Sequence, residues 1–249
     1  MSTAALTLSG VTKKFGGVVA VDGLDLQVNQ GEILALVGPN GAGKSVLVNV
    51  ISGVYEATAG AIHLGGRDIS GEPAHRRARL GMARTFQNIR LFRRMTVVEN
   101  VLVAIKQHAV QPFRSMFHRG GGKDLDVAMG LLEKAGLGAK AGESAGALAY
   151  GEARRLEIAR ALAGDPQLLL LDEPAAGMND RETEELAAHI HALRSRVPAI
   201  VVIEHDMGFL SGLCDRMAVL DYGRKIAEGP VAQVLTDPKV MEAYLGAEE

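Results

Sequence analysis

The chain has 249 residues, 47% of them apolar, and a formal net charge of −2. That length and composition suit a globular protein that buries roughly 70–75% of its unfolded surface without covalent staples. The near-neutral charge gives no electrostatic reason to expect a nucleic-acid or anionic-membrane partner, and the one cysteine, Cys214, excludes an internal disulfide and fits a reducing compartment.

The N-terminal stretch MSTAALTLSG has neither a basic region nor a long apolar region, so no secretory signal is expected. The apolar residues around Leu6 and Leu8 predict a strand. Leu24, Leu26 and Val28 alternate with polar residues and predict a second, half-buried one. Ile33–Val37 is an unbroken apolar run ending at Gly38, as in a strand buried on both faces. Ser45–Ser52 is apolar nearly all round and predicts a buried helix. Ile62–Leu64 and Met82–Phe86 are further strand candidates.

From about Asn88 to Ala163 the pattern turns helical. Helices are predicted over Val97–Ile105 and Leu125–Ala135, the second ending at Gly136, with a flexible loop at Gly120–Gly122 between them. Strands return at Leu168–Leu171, Ala199–Ile203 and Met217–Leu220, with a helix over Arg181–Arg194. The longest apolar runs fall far short of the ~20 residues that span a bilayer. The chain is therefore expected to be soluble by itself, and any role at a membrane needs partner subunits. Pro230–Leu245 has helical spacing and two candidate starts, one before each proline. Alternating strands and helices predict a mostly parallel sheet with helices on both faces, and the helical block over 88–163 reads as an insertion into it.

Three segments carry chemistry. Gly38-Pro39-Asn40-Gly41-Ala42-Gly43-Lys44-Ser45 fits the pattern G-x-x-x-x-G-K-[ST], and it lies after a buried strand and before a helix, where the pattern needs it. Glycines let successive backbone N–H groups turn inward as an anion nest, and the helix presents its positive dipole end to phosphate. Lys44 is then the ligand of the β- and γ-phosphates, and the Ser45 hydroxyl a ligand of Mg²⁺. Asp172 and Glu173 follow Leu168–Leu171. Parallel sheets bind ligands at the carboxyl ends of their strands, so Asp172 is expected to hold Mg²⁺ through water and Glu173 to polarise the attacking water. His205 follows Ala199–Ile203 and is expected at the same edge, sensing the γ-phosphate. His189 and His191 are two apart on a helix and make a poor metal pair.

The third segment, Leu148-Ala149-Tyr150-Gly151-Glu152-Ala153-Arg154-Arg155-Leu156-Glu157-Ile158-Ala159-Arg160, is a loop followed by a basic helix. It resembles the signature motif of ABC ATPases, commonly L-S-G-G-Q. Phe86-Gln87 resembles that family's Q-loop, Ala175–Asn179 its D-loop and His205 its switch histidine. Phe15 stands where the family stacks an aromatic on adenine. The resemblance implies an α/β P-loop NTPase core of the ABC ATPase type with an antiparallel β-subdomain and an inserted α-helical subdomain, all in one domain over 1–249. It implies ATP and Mg²⁺ as ligands. Gln87, Lys44, Glu173 and His205 would serve hydrolysis, and Ser45, Gln87 and Asp172 the metal. Phe15, Gly38–Ser45 and Val46 would hold nucleotide on this chain, and Ala149, Tyr150, Gly151 and Glu152 would close over nucleotide held by a second ATPase subunit.

Several positions depart from the pattern. Val46 replaces a second hydroxyl, Ala149 the signature serine, Tyr150 its first glycine and Asn179 the D-loop aspartate. A lost hydrogen bond to a charged group costs about 1.5–3 kcal/mol, which implies a weaker site where this signature closes. The same departures, with Ala83–Gln87, Arg90–Phe92, Pro174–Gly177, Ile203–Met207 and Ala243–Gly246, are similar to the LivG-type ATPases of branched-chain amino acid importers. The implied partners are a sibling ATPase (the same chain or another), two permeases and, indirectly, a periplasmic or extracellular solute-binding protein. The implied location is cytoplasmic, peripheral on the inner face of the cell membrane.

The basic stretch His75–Arg79, Arg84, Arg90, Arg93 and Arg94 is expected to be a solvated face or a permease-facing surface rather than a nucleic-acid site. Asn88–Met95 is the expected permease contact, and Gln107–Lys123 receives no role. Two alternatives remain open. Lipopolysaccharide export uses a close pattern, although Ala149-Tyr150 favours the amino-acid group. A soluble ABC-type remodelling module usually carries two ATPase domains or a long coiled coil, whereas this chain has one P-loop and no heptad run.

Overall fold

The computed structural model of the protein describes residues 4–108 and 121–245. A four-stranded antiparallel sheet has the order β2-β1-β4-β5, with β1 at Ala4–Phe15, β2 at Val18–Asn29, β4 at Ala59–Leu64 and β5 at Arg67–Asp68. A six-stranded sheet has the order β10-β9-β3-β8-β7-β6. Its strands are β3 (Glu32–Val37), β6 (Met82–Arg84), β7 (Leu168–Asp172), β8 (Ala199–Ile203), β9 (Arg216–Asp221) and β10 (Arg224–Pro230). All its pairings are parallel except that of β9 with β10.

The six-stranded sheet separates two cores, and the alternation of its side chains says why. Ile33, Ala35 and Val37 of β3 face one core, while Leu34 and Leu36 face the other. Leu169 and Leu171 of β7 oppose Leu168 and Leu170 in the same way. With both faces buried, strands of this kind must be apolar at every position. The antiparallel sheet covers one face and traps α1 (Lys44–Ile51) beneath it through Leu47, Val48, Val50 and Ile51. The other face is covered by α3 (Val97–His108), α4 (Gly121–Lys134), α5 (Tyr150–Leu162), α6 (Asp180–Ala192), α7 (Met207–Leu213), α8 (Val231–Val234) and α9 (Pro238–Leu245).

The expectation of helices on both faces is thus met unevenly: one face holds α1 and a second sheet. The strand expected at Met82–Phe86 ends at Arg84. Gly121 and Gly122 begin α4 rather than forming a loop, while Gly120 lies outside the described residues, as does most of Gln107–Lys123. Pro230 and Pro238 do each open a helix. None of the described helices is long and apolar enough to cross a membrane.

The basic stretch is corrected at two positions. Arg77, on α2 (Ala74–Arg79), is 1% exposed. Its guanidinium donates to the Val50 and Ile51 carbonyls at 2.7 Å each, to Glu72 O at 2.7 Å and to Ser70 O at 2.8 Å. The last carbonyls of a helix have no intrahelical donor, and a cation there also complements the dipole. Arg77 therefore fixes the far end of α1, whose near end is the phosphate loop. Arg84 is the second, nearly buried with 11% of its side chain exposed, and its partners belong to the site.

Candidate active site

Gly38 begins the loop that leaves β3. Its φ is +149°, and a Cβ there would sit 2.1 Å from the Leu220 carbonyl oxygen of β9. Gly43, just before α1, has φ +96° and would bring a Cβ within 2.5 Å of the Ala20 carbonyl of β2. Neighbouring backbone closes on the loop from two sides, so only glycine fits. Gly43 supplies no side-chain cap, and the first N–H groups of α1 are left for an anion. Lys44 Nζ donates to the carbonyls of Gly38 at 2.5 Å and Pro39 at 2.9 Å. Burial lowers the lysine's pKa from 10.5, while the charge of Glu173 works in the opposite direction. Ser45 is exposed on the first turn. Val46 instead packs against the core between the sheets, so its apolar side chain serves the fold where a hydroxyl would serve a phosphate.

The carboxylates lie at the same edge because the strands are level there. Asp172 of β7 and Leu36 of β3 both register with Ile203 of β8. Asp172 is nearly buried, and its Oδ2 accepts from Arg84 Nη2 at 2.9 Å. Arg84 Nη1 donates to Asn49 Oδ1 at 2.6 Å and Ser52 Oγ at 3.1 Å. Asn49 is on α1 and Ser52 lies just after it, so Arg84 bolts the phosphate-loop helix to the acidic strand. Phe86 lies against both Arg84 and Arg90, whose guanidinium carbons are 5.1 and 4.4 Å from the ring centre.

Glu173 has φ +46°, a left-handed conformation that costs a non-glycine residue about 1–3 kcal/mol. Strain of this kind persists where surrounding bonds over-determine it. Glu173 N donates to Ile203 O at 2.9 Å, and Glu173 Oε2 accepts from Gln87 Nε2 at 2.6 Å. The buried Glu204 accepts from Ala175 N and from His205 N, both at 3.0 Å, and so fixes the turns after β7 and β8. The His205 ring is 72% exposed and lies 3.4 Å from Glu204 Oε2.

Ala149 precedes α5 with an extended backbone and no side-chain oxygen. Glu152 Oε2 accepts from Ala149 N at 3.2 Å, which is one half of a capping box, and alanine cannot return the other half. Lys140 Nζ donates to Glu152 Oε1 at 2.7 Å, and this bond holds the Glu152 carboxyl below its ordinary range. By contrast, Asn179 forms both halves with Glu182, at 3.0 and 3.1 Å, so the D-loop asparagine caps α6.

The loop Gly38–Val46, Gln87, Asp172, Glu173 and His205 thus share one sheet edge. Phe15 is half-exposed in the β1–β2 hairpin, edge-on to Tyr55 at 5.3 Å, with Lys13 Nζ 4.9 Å from its ring centre. Among the described residues, Ala149–Glu152 hydrogen-bond to Lys140, Arg154 and one another, and not to the chain's own phosphate loop. Sequence reasoning gave no site role to Arg84 and Glu204, although both lie in segments that carry the resemblance, and it missed Asn49 and Tyr55, which no motif singles out.

Among the described residues no group of three or more His, Cys, Asp or Glu side chains could hold a metal by itself. The Ser45 hydroxyl, the Gln87 amide oxygen and the Asp172 carboxylate are hard oxygen donors. Such a set suits Mg²⁺ shared with phosphate and water better than it suits a metal caged by protein alone.

Residues 21–176 match the family described as ABC transporter, and residues 224–249 match the one described as branched-chain amino acid ATP-binding cassette transporter. The chain is 44% identical to the high-affinity branched-chain amino acid transport ATP-binding protein BraF of Pseudomonas aeruginosa, with 99% of each chain covered. It is 43% identical to the corresponding protein LivG of Escherichia coli K12, again over 99% of each. A solved ATP-binding cassette of an ABC transporter, in its ADP conformation, superposes with a TM-score of 0.87 at 32% identity, covering 98% of this chain and 99% of that one.

The bare start of α5 yields a test. Ala149 already has the extended backbone of a helix N-cap (φ −62°, ψ 160°). Ala149→Ser should complete the capping box and stabilise the protein by about 1 kcal/mol. In urea unfolding the midpoint should rise at unchanged slope, and an unchanged midpoint would show that these N–H groups already have other partners.

Proposed function

The chain belongs to the ABC transporter family, and from that premise we propose that it energises import of branched-chain or related amino acids by hydrolysing ATP at the edge where Gly38–Ser45 meets Asp172 and Glu173. It is an ATP-binding subunit of an ABC transporter and an ATPase. The solute class rests on what its relatives are named for. The observation that carries the mechanism is the 2.6 Å bond between Gln87 and Glu173 beside the loop. It joins two of the side chains that serve hydrolysis, next to the nest that would hold the phosphates.

In this reading Lys44 leaves its own loop carbonyls for the β- and γ-phosphates, and the N–H groups of the loop and of α1 hold the remaining oxygens. Ser45, Asp172 and Gln87 hold Mg²⁺, which when bound neutralises charge on the transferring phosphoryl group. Glu173 orients and polarises the attacking water. His205 donates to the γ-phosphate, with Glu204 holding the turn that presents it, and Phe15 stacks on adenine. The signature segment Ala149–Glu152 completes the nucleotide site of a second ATPase subunit, which is the same chain or a sibling.

The whole chain over 1–249 acts as one ATPase domain, with 88–163 as its helical insertion. Asn88–Met95 contacts one of two permeases, to which a solute-binding protein delivers the substrate. Such a subunit works at the cytoplasmic face of the membrane.

Glu173→Gln keeps the hydrogen bond to Gln87 possible but removes the base. It should retain ATP binding while lowering turnover by about 10²–10⁴-fold; turnover equal to wild type would remove Glu173 from this role. Deleting the chain from its host should abolish high-affinity uptake of branched-chain amino acids, and undiminished uptake would count against the solute class.

A further inference from the structure

Arg154 lies one turn into α5 and is fully buried, with 0% of its side chain exposed. Its charge is met by Glu157, whose Oε2 accepts from Nη1 at 2.8 Å. The two terminal nitrogens reach mainly outside their own helix, while Nε has no hydrogen-bond partner among the described residues. Nη1 donates to Phe86 O at 2.7 Å and Nη2 to Gln87 O at 2.9 Å. Nη2 also makes longer contacts to Tyr150 Oη at 3.4 Å and to Glu173 O at 3.5 Å. The free oxygen of Glu157 accepts from Arg90 N at 3.1 Å. The ion pair therefore holds residues 86–90 at both ends and touches the carbonyl of the strained Glu173.

Two of these acceptors, Gln87 O and at the longer distance Glu173 O, are backbone oxygens of the residues whose side chains meet at 2.6 Å. Shifting either carbonyl shifts the side chain it carries. The bond to Glu157 is buried and those to Phe86 and Gln87 are partly buried, where lower local dielectric strengthens them, so the fork fixes position rather than merely adding affinity. The fork geometry matters. A planar guanidinium reaches several acceptors at once, whereas an ammonium offers one point of attachment.

We propose that Arg154, supported by Glu157, is a positioning residue for ATP hydrolysis. It ties Gln87 and Glu173 to each other and to the signature helix through their carbonyls. The role deepens the proposed function and rests on Glu173 acting as the base. Because Tyr150 shares the same guanidinium, a movement of the signature end of α5 is passed to Gln87 without crossing solvent.

The test uses the full chain, with ATP affinity, single-turnover hydrolysis and urea unfolding measured on each variant. Arg154→Lys keeps a cation beside Glu157 but cannot span the carbonyls. The double variant Arg154→Gln with Glu157→Gln removes both charges and so avoids leaving one buried alone. Both should bind ATP within about twofold of wild type while turnover falls by about ten- to hundredfold, the scale of a small misplacement of reacting groups. Added to Glu173→Gln, Arg154→Lys should cause no further loss, because residues acting as one unit are not additive.

Turnover within twofold of wild type in Arg154→Lys would overturn the proposal. So would loss of affinity and stability in parallel with turnover, which would mark an ordinary structural residue. If the double variant does not fold, Arg154→Lys alone decides. If Glu173→Gln by itself leaves turnover unchanged, the reading of Glu173 fails, and that result is separate from the outcome for Arg154.

Discussion

The parallel register of β3, β8 and β7 is the constraint on which everything else rests. Leu36 and Asp172 both align with Ile203, so three strands end at one height. The segments leaving those strand ends are thereby brought together: the glycine loop after β3, Glu173 after β7, and Glu204-His205 after β8. A slip of one residue in any pairing would turn that strand's side chains to the opposite core. The cores forbid this, because each face is filled by a different set of apolar residues. Packing energy far from the site thereby fixes the spacing of the site.

Around that edge the charged groups already have protein partners. Lys44 is held by loop carbonyls, Asp172 by Arg84, and Glu173 by Gln87. At these side chains a bound nucleotide must replace bonds, and exchanged hydrogen bonds contribute little net free energy, so new bonds come mainly from the uncapped N–H groups of α1. What binding changes is which elements are joined. Arg84 links α1 to β7, and Gln87 links the segment after β6 to Glu173. Freeing either residue loosens a connection between elements, which is a physical route from phosphate to the rest of the molecule.

Much of this was legible in the residues. Strands buried on both faces announce themselves as unbroken apolar runs, and Ile33–Val37 and Ala199–Ile203 are found as expected. Phosphate loops are legible because backbone geometry demands glycine, as the close approaches at Gly38 and Gly43 make plain. The strand β10 was not legible, since its middle residues are all partly buried and show no alternation. Nor was α7, where two glycines weaken the helical signal. The buried and nearly buried arginines were the largest omission. Arg77, Arg84 and Arg154 look like surface charge because composition cannot say which way a guanidinium turns. For Arg154 one hint existed, a glutamate three residues on, but the same spacing is common on solvated helices. Their partners are mostly carbonyls and side chains distant in sequence, which no local pattern records.

The central claim is that Gly38–Ser45 binds the terminal phosphates of a nucleotide. Calorimetric titration of the full chain with ATP and with AMP, each with Mg²⁺, tests it most directly. AMP carries neither phosphate that Lys44 and the loop are placed to hold. ATP should bind at least about tenfold more tightly, a difference of about 1.4 kcal/mol or more. Equal affinity for the two, or no binding of ATP at any of several temperatures, would mean that the loop does not hold these phosphates.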